Sequence, residues 1–154
     1  VISLADHFGL DLDAAIDMLG DPEAGTPNSQ TNAFEFYGTW SQHVSSWTGE
    51  DSESQMHLRY EDMSGKPNQT FRRVAKFLGL EPSKARLDKA IRFSSFKVLQ
   101  GQENRDGFRE RSSHSEKFFR SGKTGQWRQI LSKSQIDRVV ADHHTQMDRF
   151  GYLP

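Results

Sequence analysis

Residues 118–128 have the sequence FFRSGKTGQWR, in which aromatic side chains flank cations, glycines and hydroxyl groups. Glycine lets the backbone approach a ligand closely and present its N–H groups to an anion. Arg120 carries a planar guanidinium that matches phosphate, Ser121 adds a neutral donor, and Phe118 offers a face to a base. The segment indicates a clamp for a nucleotide phosphate. A solvated loop with an apolar anchor at each end has the same composition, and composition alone favours that plainer interpretation.

Gly122-Lys123-Thr124 within this segment resembles the end of a Walker A phosphate-binding loop. That motif needs another glycine, separated by four residues from the Gly-Lys pair, and Lys117 stands at that position. It also needs a preceding strand, which the local pattern lacks. The segment is therefore not interpreted as a Walker A loop.

The one good strand candidate is residues 56–60 (MHLRY), where apolar and polar side chains alternate. Ligands commonly bind at the carboxyl ends of strands in open α/β sheets, which makes Tyr60 a candidate site residue. Glu61 and Asp62 follow directly and could act as a carboxylate pair. Their position more readily suits the first turn of the next structural element.

Most of the chain is predicted to be helical, because apolar residues recur at helical spacing between capping residues. The predicted helices are residues 1–8, 12–19 after the cap Asp11, 33–47, Pro67 to Gly79, one opened by Pro82, a short one capped by Ser94, and Ser134 to Gly151. Residues 21–32 and 101–125 are predicted loops, and a loop as long as the second is usually functional or disordered. One strand among so many helices indicates the flank of an α/β sheet whose other strands are not in this chain.

Composition bounds the class of protein. The chain has 154 residues, enough for one domain, but only 34% of them are hydrophobic, which predicts a thin core or a part of something larger. No apolar run approaches the roughly 20 residues that span a bilayer, and the first residues lack the positive charge of a signal peptide. Because there is no cysteine, disulfides and thiolate metal sites are excluded.

Charge is distributed unevenly along the chain. Residues 1–50 hold eight acidic side chains and no lysine or arginine, whereas the remainder carries an excess of bases. This asymmetry indicates either a basic surface that faces an anion or complementary packing between the two parts. Nucleic acid is a poor candidate partner, because the bases are interleaved with acids and the isoelectric point is near 6.6.

The six histidines are not spaced as metal ligands. His143 and His144 are adjacent and point to different sides of a helix, and the other four have no ligand spacing with them. Structural or surface roles are favoured, and no metal is predicted. Trp40 and Trp47 are predicted to fill the core.

Several of these segments together resemble the soluble sulfotransferases that use 3′-phosphoadenosine-5′-phosphosulfate (PAPS). FFRSGKTGQWR is similar to that family's C-terminal signature, and LRYEDM at residues 58–63 to its Tyr-Glu-Asp motif. The other matches, in the family's order along the chain, are VISLADHF at 1–8, the helix at 67–79, FSSF at 93–96 and RFGY at 149–152. The resemblance implies a P-loop-NTPase-like three-layer α/β/α sulfotransferase fold, represented here by a mostly helical portion with one clear strand.

The resemblance also implies roles for individual residues. Ser3 and Arg120 would hold the 3′-phosphate, with Ser121 and Gly122 adding hydroxyl or backbone contacts. The adenine would be contacted by residues of three segments, namely Tyr60, Ser94, Ser95, Phe96 and Phe118. The donor would be PAPS, the acceptor a small hydroxylated or amine compound, and the protein cytoplasmic, with no metal and no membrane or nucleic-acid partner.

Several family features have no counterpart in these residues: the N-terminal loop for the 5′-phosphosulfate, the catalytic histidine, and the arginine eight positions before Ser3. Ser121 and Arg128 stand where the signature has lysines, and the family's dimer pattern is poorly matched, so no oligomeric state is predicted. Residues 1–154 are therefore expected to be the C-terminal portion of a sulfotransferase domain that does not turn over alone. A non-catalytic module that binds 3′-phosphoadenosine nucleotides and an interaction fragment remain the alternatives.

Overall fold

The computed structural model describes residues 1–26, 33–50 and 52–154. The chain divides into two compact units. The first contains Val1–Asp51 and Gln126–Pro154, and the second contains Ser52–Gly125. Each unit is described by itself below.

The first unit is built from helices and a short hairpin. Its elements are α1 (Ile2–Phe8), α2 (Leu12–Gly20), β1 (Gly25–Thr26), β2 (Glu35–Phe36), α3 (Trp40–Thr48), α8 (Trp127–Ile130) and α9 (Lys133–Phe150). The strands β1 and β2 pair antiparallel, with Gly25 opposite Phe36. The long helix α9 packs against both α2 and α3. The core of this unit is small, and its buried side chains are those of Ala5, Ala15, Ile16, Ala24 and His143.

Polar side chains join α9 to α3 along one face of each helix. His143 Nδ1 lies 2.9 Å from Ser41 Oγ, and Gln146 donates to Ser45 Oγ at 2.8 Å. One turn further, Arg149 donates to the hydroxyl and to the carbonyl oxygen of Thr48. These α9 positions are three residues apart, so they share a face of the helix. The interface therefore relies on hydrogen bonds where the apolar core is thin.

The second unit contains the four helices α4 (Tyr60–Gly65), α5 (Pro67–Phe77), α6 (Lys84–Phe93) and α7 (Phe96–Asp106), followed by a loop to Gly125. The hydroxyl of Thr70 donates to the carbonyl oxygen of Asp62 at 2.8 Å, which ties α5 to α4. The buried residues of this unit are Thr70, Ala75, Leu87, Glu103 and Ser115. Two of these are small, and one is a carboxylate that has to be satisfied by hydrogen bonds.

Helix ends that carry a strong local signal agree with the sequence prediction. Asp11 caps α2 by accepting a hydrogen bond from the amide of Ala14, and Pro67 stands in the first turn of α5. Gly79 and Gly151 have positive φ angles of 68° and 69°, as expected of residues that follow a helix end. Helix α1 is also confirmed at the predicted place.

The predicted strand at residues 56–60 is wrong. These residues are not assigned to a strand, and Tyr60 is the first residue of α4. The backbone at Arg59 is extended, but a strand also needs a neighbour with which to form a ladder. Among the described residues, β-pairing is limited to β1 with β2.

The helix predicted at residues 33–47 begins later, at Trp40. Thr39 and Gln42 form a reciprocal capping box there, and this local signal is stronger than the apolar periodicity that extends upstream. The residues before it contribute β2 instead. The loop predicted at 21–32 contains β1, and residues 27–32 lie outside the described part of the chain.

Three further helix starts differ from the prediction. Helix α6 is capped by Ser83 and not opened by Pro82, and α9 is capped by Ser132 and not begun at Ser134. Ser94 ends α6, and Ser95 occupies the N-cap position of α7. Helix α7 also continues to Asp106, so the predicted loop at 101–125 begins later than expected. In the predicted core, Trp47 proves to be exposed, whereas Trp40 contacts the His143 ring.

Candidate nucleotide-binding site

Gly122 is where the backbone of the predicted phosphate loop meets a helix. Its φ is +62°, a conformation that side-chain-bearing residues rarely adopt. A Cβ atom at this position would lie 2.4 Å from Cδ2 of Phe96, the first residue of α7. Both the conformation and the space therefore require glycine, and the Phe96 ring packs directly against the loop.

Tyr60, the first residue of α4, also holds Gly122. Its hydroxyl donates to the carbonyl oxygen of Gly122 at 2.9 Å. The Tyr60 side chain is nevertheless about half exposed, at 46%. The hydroxyl thus fixes the loop while part of the ring stays accessible to a ligand.

Two side chains of α7 hold the loop three and four residues before Gly122. The Glu103 carboxylate accepts from the backbone N–H of Phe118 at 2.6 Å and from that of Phe119 at 2.9 Å. Gln100 donates from Nε2 to the carbonyl oxygen of Phe119 at 2.7 Å. The loop backbone is therefore tied at successive peptide groups to one face of a helix.

Four aromatic rings pack beside this backbone. Phe118 lies 4.6 Å from Phe108 between ring centroids, and Phe119 contacts Phe96 edge to face at 6.0 Å. Phe119 is the more buried of the two loop phenylalanines, and Phe118 is 49% exposed. Phe119 thus anchors the loop, and Phe118 leaves part of its ring open for packing against a flat ligand.

Arg120 and Ser121 lie between these anchors. The Arg120 side chain is exposed, and within residues 1–26, 33–50 and 52–154 its guanidinium has no hydrogen-bond or ion-pair partner. The backbone N–H of Arg120 donates to the carbonyl oxygen of Phe118 at 3.0 Å, which folds the chain into a tight turn. A cation that is not used by the protein, on a backbone that is fixed on both sides, is suited to bind an anion.

The remaining predicted site residues lie in the turn between α6 and α7 and on helix α1. Ser94 and Ser95 form the turn between α6 and α7, directly before Phe96, and the Ser95 side chain makes no capping hydrogen bond. Ser3 is exposed in the first turn of α1, in the first unit. The structure thus brings together Tyr60, Phe96 and Gly122, with Phe118, Arg120 and Ser121 in the same loop as Gly122.

Gln100 and Glu103 are the site residues that the sequence analysis missed. They lie in or beside the segment predicted to be a loop, where helical spacing was not considered. The spacing itself is informative, because residues 96, 100 and 103 fall on one face of a helix. With α7 extended to Asp106, this pattern places two polar groups beside the aromatic residue that touches the glycine loop.

The two acidic residues that follow Tyr60 belong to helix α4. Glu61 and Asp62 both lie in the first turn of α4, as the sequence analysis favoured. Arg59 donates to the Asp62 carboxylate at 3.1 and 3.2 Å, and these hydrogen bonds lower the pKa of Asp62. Within the part of the chain that the structure describes, no group of three histidine or acidic side chains is arranged to hold a metal ion.

Comparison with known proteins decides the family. The sequence profile of the sulfotransferase domain matches residues 18–151. The chain belongs to the sulfotransferase family. This confirms the resemblance drawn from the signature loop and the Tyr-Glu-Asp segment, and it implies the sulfotransferase fold. The described structure is mostly helical, with one two-stranded sheet.

Individual sulfotransferases match over most of this chain. Sulfotransferase 1C2 of Homo sapiens is 28% identical over 140 residues, which are 85% of this chain and 47% of that protein. Sulfotransferase 1 family member D1 of Mus musculus is 28% identical over 117 residues, or 73% of this chain and 40% of that protein. Cytosolic sulfotransferase 8 of Arabidopsis thaliana is 28% identical over 114 residues, with coverages of 67% and 34%. This sulfotransferase chain spans less than half the length of each of these relatives.

None of the helices described for this sulfotransferase chain has the length and apolar character needed to cross a bilayer.

Proposed function

We propose that the protein transfers a sulfuryl group from PAPS to the hydroxyl or amine of a small acceptor. The observation that carries this proposal is the sulfotransferase-domain match over residues 18–151. The arrangement of the loop at residues 118–122 supports it, because that loop has the components of a phosphate site. The family match does not favour the alternative of a non-catalytic binding module.

The donor's 3′-phosphate would bind at the glycine loop. Arg120 supplies the charge, Ser121 a hydroxyl and Gly122 a closely approaching backbone, with Ser3 as a further proposed contact. The Arg120 side chain suits a phosphate group, because its guanidinium has no partner among the described residues. A hydrogen bond to a charged group contributes roughly 1.5–3 kcal/mol, which is enough to separate this donor from nucleotides without the extra phosphate.

The donor's adenine would be held by residues around the start of α7. The half-exposed rings of Tyr60 and Phe118 offer apolar surface to a base, and Phe96 lies behind the loop. Ser94 and Ser95 are on the turn that leads into this helix and can offer hydroxyl groups to the base edge. The proposed adenine contacts thus come from three segments of the second unit.

Sulfuryl transfer, like phosphoryl transfer, depends on positioning and on electrostatic stabilisation of a loose transition state. The residues assigned here bind and orient the donor. An acceptor hydroxyl also needs a positioned general base, which contributes about 10²–10⁴-fold, and none of the assigned residues has that role. We therefore propose that residues 1–154, as the C-terminal portion of a sulfotransferase domain, bind donor without turning it over.

The wider setting follows from the family in the same way. We propose a P-loop-NTPase-like three-layer α/β/α fold for the complete domain, a cytoplasmic location, and a small-molecule acceptor without a metal cofactor. Cytosolic sulfotransferases from plants among the relatives support the location.

The activity is tested with PAPS labelled in its sulfuryl group and a panel of phenols, alcohols and amines. We expect the complete protein to transfer label to at least one acceptor, and the 154-residue chain to transfer none. Absence of transfer to every acceptor by a folded, donor-binding complete protein would contradict the proposed activity. Transfer by the 154-residue chain would show that its residues include the base.

A further inference from the structure

We propose that Glu103 is a positioning residue that sets the geometry of the phosphate-binding loop and so determines the preference for a 3′-phosphate. This inference rests on the proposed function of the same loop. Glu103 would touch neither donor nor acceptor. It would act through the backbone of Phe118 and Phe119, which leads directly into Arg120.

The Glu103 carboxylate is buried and fully committed to the loop. Its side chain lies on α7 with a residue exposure of 8%, and each oxygen accepts one backbone N–H. Within the described residues, Glu103 forms no ion pair with a lysine or arginine. A buried carboxylate is costly unless hydrogen bonds compensate it, and here the loop amides supply those bonds.

Contacts made by Gln100 and Arg111 also hold the loop backbone that leads into Arg120. Gln100, almost one helical turn before Glu103, holds the carbonyl oxygen of Phe119, so both sides of this residue are fixed from the same helix. Arg111 donates to the carbonyl oxygens of Ser115 and Glu116 at 3.0 and 2.9 Å, which fixes the chain leading into the loop. The first residue beyond these restraints is Arg120. Its backbone orientation, and hence the starting direction of its side chain, follows from the bonds to Glu103.

A carboxylate is the side chain that this geometry requires. Glutamine has nearly the same shape, but its terminal NH₂ group cannot accept from a backbone N–H, so Glu103→Gln keeps at most one of the two bonds. Glu103→Asp retains the charge and both acceptor oxygens but moves them away from the loop by one methylene. Glu103→Gln therefore tests the number of hydrogen-bond acceptors, and Glu103→Asp tests the length of the side chain.

The test compares the dissociation constants of 3′-phosphoadenosine 5′-phosphate and AMP for the complete protein. Glu103→Gln is expected to weaken the first by roughly tenfold or more and the second by less than about threefold, so that the ratio of the two falls. Glu103→Asp should lower the ratio in the same direction. Glu110→Gln, which changes an exposed carboxylate in the following loop, is the matched control and should leave the ratio unchanged.

Hydrogen exchange in the ligand-free protein gives a second readout that does not depend on nucleotide binding. The amides of Phe118 and Phe119 should exchange faster in Glu103→Gln than in the wild type, while amides of α5 remain protected. This measurement also applies if Glu103→Gln binds too weakly for a constant to be measured.

The outcomes separate this inference from the proposed function. A wild-type protein that binds both nucleotides equally would contradict the proposed function and with it this inference. A wild-type preference for the 3′-phosphate that survives in both Glu103 variants would overturn the positioning role alone. An equal loss of both nucleotides would also overturn it, because Glu103 would then support the fold and not the selectivity.

Discussion

At the scale of single residues, Gly122 shows how the backbone and a neighbouring ring define one position. Its positive φ disfavours any side chain, and the Phe96 ring occupies the place where a Cβ would stand. The sequence motif marks this glycine, but only the structure shows that the close neighbour is Phe96. The absence of a side chain thus brings α7 and the proposed phosphate loop into direct contact.

Replacing Gly122 with alanine is expected to displace the loop from α7. The new Cβ has to move the Phe96 ring or the backbone, which costs about 1–3 kcal/mol, and the φ angle adds to that cost. We expect Gly122→Ala to lower both the free energy of unfolding and the affinity for 3′-phosphoadenosine 5′-phosphate, measured by urea denaturation and by calorimetry. Gly65→Ala is the matched control, since nothing lies within 4 Å of a Cβ there. Equal effects of the two alanines would show that the contact with Phe96 is unimportant.

Some residues of the proposed site could be identified from the sequence and others could not, for a physical reason. Gly122, Arg120 and Tyr60 have side chains, or the lack of one, whose chemistry points to a phosphate or a ligand. Among the described residues, the Glu103 side chain accepts hydrogen bonds from two backbone amides, and the sequence does not reveal such partners because nearly every residue has a backbone N–H. The proposed role of Glu103 follows only from the way the loop folds back on α7.

At the scale of elements, some helix boundaries were predicted correctly from a local capping residue. Asp11, Pro67 and Gly151 act on their own helices, and the sequence signal there agrees with the structure. Residues 56–60 have the alternation of a strand, but a strand depends on a partner that alternation does not supply. The starts of α3, α6 and α9 were also predicted wrongly, although their caps Thr39, Ser83 and Ser132 are local signals that the sequence analysis did not use.

The pairing of α3 with α9 should respond to pH through His143. This side chain is buried at 3% exposure, beside Ser41 and the Trp40 ring. Burial lowers the pKa of His143 below its ordinary value of 6.5, with Asp142 acting in the opposite direction. The unfolded chain therefore binds a proton at a higher pH than the folded chain does. The contribution of neutral His143 to the free energy of unfolding is fully present above pH 6.5. That contribution is lost as the pH falls towards the lowered pKa of His143.

Urea denaturation at about pH 7.5 and about pH 5.5 measures this effect. The wild type should lose more unfolding free energy between the two values than His143→Gln does. His144→Gln, an exposed neighbour on the same helix, should behave as the wild type. An identical pH dependence in His143→Gln and the wild type would remove His143 as the titrating group.

At the scale of the whole molecule, the two units differ in charge. The first unit contains twelve acidic residues and four lysines or arginines, and the second contains nine acidic residues and sixteen lysines or arginines. The glycine loop and Arg120 lie in the basic unit. An excess of positive charge raises the local concentration of anions, which suits a donor that carries several phosphate groups. The charge pattern along the sequence therefore agrees with the location of the proposed donor site.

The most direct test of the central claim is the ratio of dissociation constants for 3′-phosphoadenosine 5′-phosphate and AMP, measured by calorimetry on the wild type, Arg120→Gln and the control Arg86→Gln. The wild type and the control should prefer the 3′-phosphate. Arg120→Gln should weaken binding of that nucleotide by roughly 10–150-fold, the equivalent of one charged hydrogen bond, with little effect on AMP. A wild type without this preference, or an Arg120→Gln variant that keeps it, would contradict the assignment of the loop as a 3′-phosphate site.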